Sequence, residues 1–112
     1  MALLRKKCVP CEGGVPKLKK AQIQKLLREI PSWKLKARKL TRTYVFKNFP
    51  AVMDLLNHAA QLAEAEGHHP DFRVYSWNKA DFTIFTHAIG GLSENDFILA
   101  AKIEALPKKL LV

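Results

Sequence analysis

The sequence predicts an α+β domain, a four-stranded antiparallel sheet with three α-helices packed on one face in the order α-β-β-α-β-β-α. Three observations lead there. Two stretches, 33–47 and 72–87, carry the alternation and the β-branched or aromatic enrichment of β-hairpins. Three others, near 17–30, 49–66 and 94–106, carry helical apolar spacing or a nearly continuous apolar run with a capping signal before it. Helices flank both hairpins, so the two hairpins can join edge to edge and bury one shared face.

Taken in order, Ile23, Leu26, Leu27 and Ile30 follow the i, i+3, i+4, i+7 rule, and Pro31 ends that helix. In "WKLKARKL", Trp33, Leu35 and Ala37 alternate with Lys34, Lys36 and Arg38, the pattern of a half-buried strand. Leu40 to Lys47 is its hairpin partner. "NFPAVMDLLNHAAQLAEAEG" gives the clearest helix, with Pro50 in its first turn and Gly67 as its stop. Val52, Leu55, Leu56, Ala59, Leu62 and Ala63 form its buried stripe, and His58 falls on the polar flank. "DFRVYSW", then Asn78-Lys79, then "ADFTIFTH" reads as the second hairpin. Ser93 with Asp96 three residues on makes a near-capping-box start to the last helix. From Phe97 to Leu106 that helix is apolar on almost every side, which suggests burial on several faces and a subunit interface.

Residues 1–16 read as an extended basic arm with a C-x-x-C, and residues 17–112 as a single domain. A chain of 112 residues builds a core without disulfides. No apolar run approaches the ~20 residues that span a bilayer, and the first ten residues lack a signal peptide's apolar segment. A cytoplasmic protein with no membrane partner is the expectation. Cys8 and Cys11 supply half a zinc site, and the "EGGVP" after them is a loop where a thioredoxin-type motif needs a helix. Charge is lopsided. Residues 1–47 hold fourteen Lys/Arg against Glu12 and Glu29, whereas the remainder carries eight acids against five bases. Such a bias can mark a nucleic-acid surface. Against that partner, the lysines alternate with core positions, and no RNA-binding signature is present.

The stretch "EAEGHHPDF" holds two of the four histidines. Histidine gives and takes protons near neutral pH. His68 and His69 leave a helix end, and His87 closes a strand, so one concave site can hold all three. Glu64, one turn before His68, can orient a ring by accepting its N–H. Adjacent histidines also occur in plain surface turns, and they rarely aim both rings at one metal ion. Spacing alone leaves those alternatives open.

At these residues the chain resembles the pterin-4a-carbinolamine dehydratase family. The pattern is Glu64-x₃-His68-His69-Pro70, the hairpin with Tyr75 and Trp77, then His87, Gly90-Gly91-Leu92 and Asp96. The likeness runs from about Cys8 to the last helix. Phe72 stands where many members carry Trp, and Ala80 where a larger β-branched residue is common. The resemblance implies removal of water from 4a-hydroxytetrahydrobiopterin to give quinonoid dihydropterin, which recycles the pterin of aromatic amino acid hydroxylases. It implies no cofactor and no metal, and a homodimer or homotetramer. It makes His68, His69 and His87 the catalytic set, with His68 and His87 transferring protons and His69 holding the pterin and assisting. Gly67, His68, His69, Pro70, Thr86, His87 and Ala88 would line the substrate, with Glu64 and Asp96 orienting the site. A noncatalytic dimerisation or assembly factor on the same scaffold is the competing expectation.

Overall fold

The computed structural model of the protein describes residues 2–10 and 15–111. Four strands form one antiparallel sheet. Lys34–Lys36 (β1) pairs with Lys39–Val45 (β2), β2 with Lys79–Ile84 (β4), and β4 with Asp71–Tyr75 (β3), giving the order β1-β2-β4-β3. The helices are Ala2–Arg5 (α1), Lys20–Leu27 (α2), Phe49–Glu66 (α3) and Glu94–Ala105 (α4). The expected α+β class and strand pairing hold, with one further short helix at the start.

Side-chain alternation makes the sheet one-sided. Leu40 and Tyr44 of β2, with Ala80, Phe82 and Ile84 of β4, are buried in one core with Trp33, Val52, Leu55, Phe97 and Leu99. Thr41, Thr43, Asp81 and Thr83 are paired across the opposite face. There Asp81 accepts bonds from Thr43 Oγ1 at 2.7 Å and Arg73 at 2.9 Å. Helix α3 forms where expected. Asn48 caps it by accepting from Ala51 N–H at 2.9 Å, and Pro50 occupies its first turn.

Several expectations need correction. Leu35 is exposed, and so are both neighbours in β1, so the strand's alternation buries nothing beyond Trp33. Ala37 and Arg38 are not strand residues. With φ of 50° and 65° they form the two-residue turn of the first hairpin. Ser76 and Trp77 (φ 47° and 55°) turn the second, ahead of the expected Asn78-Lys79. Asn78 instead anchors the turn, as its Nδ2 donates to Phe46 O at 3.2 Å.

The arm also differs from an extended segment over the residues described. Ala2–Arg5 is helical, and Leu3 and Cys8 are buried. Cys11, Gly13 and Gly14 lie outside the described residues. Helix α1 packs on α4, as does α3, so a single chain buries every residue from Asn95 to Ala101. The apolar girth of α4 is thus matched by packing within the chain.

Candidate active site

Because β3 runs antiparallel to β4, the segment entering β3 and the segment leaving β4 meet at one end of the sheet, where Asp71 pairs with Thr83. His68 to Pro70 lie on the first segment and Thr86 to Ala88 on the second.

Local chemistry delivers His68. Gly67 takes the left-handed conformation (φ 67°) that ends α3, and His68 N–H returns to Ala63 O at 3.2 Å. The chain therefore leaves the helix axis abruptly, and His68 turns inward with only 6% of its surface exposed. Its Nε2 lies 2.6 Å from Asp96 Oδ1. Asp96 is wholly buried on the first turn of α4. Its other oxygen accepts from Thr86 Oγ1 at 2.7 Å and from Ser93 N–H at 2.8 Å. Thr86 Oγ1 also meets Ser93 Oγ at 2.9 Å.

Oδ2 is engaged by two donors and Oδ1 faces His68 Nε2, so both carboxylate oxygens are spoken for and the ring is gripped through one nitrogen. Asp96 thus does two things that the sequence reading held apart, closing the capping interaction of α4 and gripping a histidine. The Thr86 hydroxyl is committed to this network. Its backbone is held as well, by reciprocal bonds with Gly91 at 3.1 and 3.5 Å. Gly90, at φ 61°, makes the reversal that brings Gly91 back to Thr86.

The other histidines sit in water. Glu64 does not hold His68. Its Oε2 lies 2.5 Å from His69 Nε2, with both side chains more than half exposed. His87 opens a short 3-10 turn, His87–Ile89, and its ring meets Phe85 edge-on at 5.2 Å between centroids. Beside His69, an apolar cavity of about 160 Å³ is lined by Leu56, Ala60, Ala63, Pro70 and Phe72. Among the described residues no group of three or more His, Cys, Asp or Glu is arranged to hold a metal ion. Ser93, Asn95 and Glu66 are parts of this corner that sequence reasoning did not single out as site residues. Only Ser93 left a signal, through its capping spacing with Asp96.

The fold and this corner define a class: a small α+β protein whose sheet end carries a buried histidine–carboxylate pair beside two exposed histidines. Residues 16–106 match the model of the family described as pterin 4 alpha carbinolamine dehydratase, and the chain belongs to that family. A relative from Rickettsia canadensis, provisionally named a pterin-4-alpha-carbinolamine dehydratase, is 50% identical over 105 residues, covering 92% of this chain and 95% of its own. The crystal structure of a transcriptional coactivator/pterin dehydratase from Brucella melitensis superposes with a TM-score of 0.76 at 29% identity, over 80% of this chain and 97% of that one. A pterin dehydratase-like protein identified as a RuBisCO assembly factor in the alpha-carboxysome shares the fold alone, with a TM-score of 0.56 at 22% identity, over 66% of this chain and 87% of that one. No helix among the described residues is long and apolar enough to cross a membrane.

Proposed function

We propose that the protein is a cytoplasmic hydro-lyase that dehydrates a 4a-hydroxytetrahydropterin to the quinonoid dihydropterin. The observation that carries this reading is the buried His68–Asp96–Thr86 network, next in chain to His87, in a member of this family.

The C4a–O bond breaks as a proton reaches the departing oxygen, so the leaving group is water rather than hydroxide. The N5–H proton is lost as the C4a=N5 bond forms, and the two transfers balance. His68 and His87 exchange these protons, a contribution worth roughly 10²–10⁴-fold when the groups are positioned. Asp96 fixes the tautomer of His68, as a carboxylate does when it takes an imidazole N–H. His69, steadied by Glu64, holds the pterin. Gly67 to Pro70 on one side and Thr86 to Ala88 on the other line it.

The test is dehydration of freshly made 4a-hydroxytetrahydropterin followed by absorbance. Intact protein should exceed the spontaneous rate, and a folded His68→Ala/His87→Ala variant should not. No acceleration by intact, folded protein would overturn the reading.

A second reading, association without catalysis, is favoured by one observation. Phe49 and Met53 on α3 and Phe72 on β3 are exposed, at 49%, 40% and 58%. Contiguous exposed apolar surface is the usual mark of an interaction surface, and these residues on α3 and β3 support one. We assign them to a homodimer or homotetramer, which sedimentation would show as a mass that is a multiple of the chain's.

A further inference from the structure

The corner that holds His68 depends on two chain ends meeting. One is the end of α3, where Glu66 precedes Gly67 and His68. The other is the start of α4, where Asn95 precedes Asp96. Neither end is fixed by the sheet alone.

The N-terminal segment ties them together. Cys8 N–H donates to Glu66 Oε1 at 2.8 Å, so the segment grips the end of α3. The next residue grips α4. Val9 N–H donates to Asn95 Oδ1 at 3.0 Å, and Asn95 Nδ2 donates back to Val9 O at 2.7 Å. This reciprocal pair uses both ends of a side-chain amide that is 2% exposed, much as one strand holds another. Cys8 Sγ adds a contact to Asn95 O at 3.5 Å. From beneath, Lys102 Nζ reaches Glu66 Oε2 at 2.6 Å, with the glutamate 8% exposed. Leu3, 1% exposed in the core, anchors the start of the segment. The family match begins at residue 16, so this segment lies outside the matched domain.

We propose that residues 2–10 form a brace that sets the distance between His68 and Asp96, with Asn95 and Glu66 as positioning residues for the proton-transferring ring. The physical reason is leverage. Residues 8 and 9 are consecutive, so the separation of the two helix ends is fixed by one short piece of backbone. Displacing a reacting group by about 1 Å can cost on the order of 10²-fold in rate. A brace that holds a 2.6 Å pair therefore acts on turnover without touching substrate.

The activity arm of the test rests on the dehydratase reading, and the spectroscopic arm does not. Full-length Asn95→Ala and Leu3→Ala proteins are compared with the parent below their unfolding temperatures. The His68 ring is followed by ¹⁵N-edited NMR, its backbone amide by hydrogen exchange, and His58 serves as the internal control. The brace predicts loss of a resolved His68 Nε2–H signal and about tenfold faster exchange of the His68 amide in both variants, with His58 unchanged. It also predicts kcat lowered about 10- to 100-fold with KM within twofold. Lower melting temperature with an unaltered His68 signal and exchange would overturn it, leaving only a stabilising role. Should Asn95→Ala not fold, Leu3→Ala at the far end of the segment decides by the same signals. Should the intact protein fail to dehydrate the pterin, the functional reading falls, while the His68 signals still decide the brace.

Discussion

His68–Asp96 and His69–Glu64 are the same chemical pair in two media. Their N···O separations are 2.6 and 2.5 Å. Yet the first pair's side chains are 7% and 0% exposed and the second's 62% and 77%. In the dry pair each carboxylate oxygen has a fixed partner, because Thr86 and Ser93 saturate the one that His68 leaves. In the wet pair water competes at every position, and the Coulomb attraction is screened. Distance alone therefore says little about which histidine is held. Burial and the number of converging donors decide it, and they favour His68 as the ring whose orientation the fold determines.

The contrast can be broken from either side. Asp96→Ala should have the largest effect, since it leaves the Thr86 hydroxyl, the Ser93 N–H and the His68 ring buried without their acceptor. Losing one partner of a buried pair costs about 3–5 kcal/mol, read as a shift in the urea midpoint. Gly67→Ala should cost about 1–2 kcal/mol. No atom crowds an added Cβ there, so the cost comes from the φ of 67° alone. Faster amide exchange at His68 should accompany it.

A smaller effect depends on pH. Burial works to raise the Glu66 carboxyl, but the Lys102 hydrogen bond and the Cys8 N–H outweigh it and hold it below its ordinary 4.5. A carboxyl depressed in the folded state stabilises fully above its unfolded value, and that contribution is lost as pH falls through the folded one. Glu66→Gln should therefore flatten the loss of stability below pH 4.5, measured by denaturation at a series of pH values. Glu64→Gln should do least, about 0–1 kcal/mol, diminishing further as salt is raised.

Much of the fold was legible because it rests on local rules. The Gly67 stop, Pro50 in the first turn of α3 and the Ser93–Asp96 spacing each name a backbone conformation or a cap, and each appears where the residues say. The two hairpin turns were misplaced because Ala37-Arg38 and Ser76-Trp77 adopt left-handed backbone without the Gly or Asn that advertises it. At the corner, helical spacing put Glu64 near both histidines but could not tell which ring turns inward after Gly67. The pairing of His68 with Asp96 spans 28 residues and depends on β3 beginning beside the end of β4. No periodicity reports such a contact. The N-terminal arm was misjudged for a related reason. Its Cys, Pro and Gly content reads as loop, whereas Leu3 and Cys8 are buried and α1 packs on α4, a contact that the arm's own pattern does not announce.

The central claim is that the buried His68 transfers a proton and the exposed His69 chiefly holds substrate. Steady-state dehydration kinetics of folded His68→Ala and His69→Ala proteins, side by side, test it most directly. The account predicts that His68→Ala loses about 10²–10⁴-fold in kcat, while His69→Ala keeps most of kcat and raises KM. Intact kcat in folded His68→Ala, with the loss falling on His69→Ala instead, would contradict it.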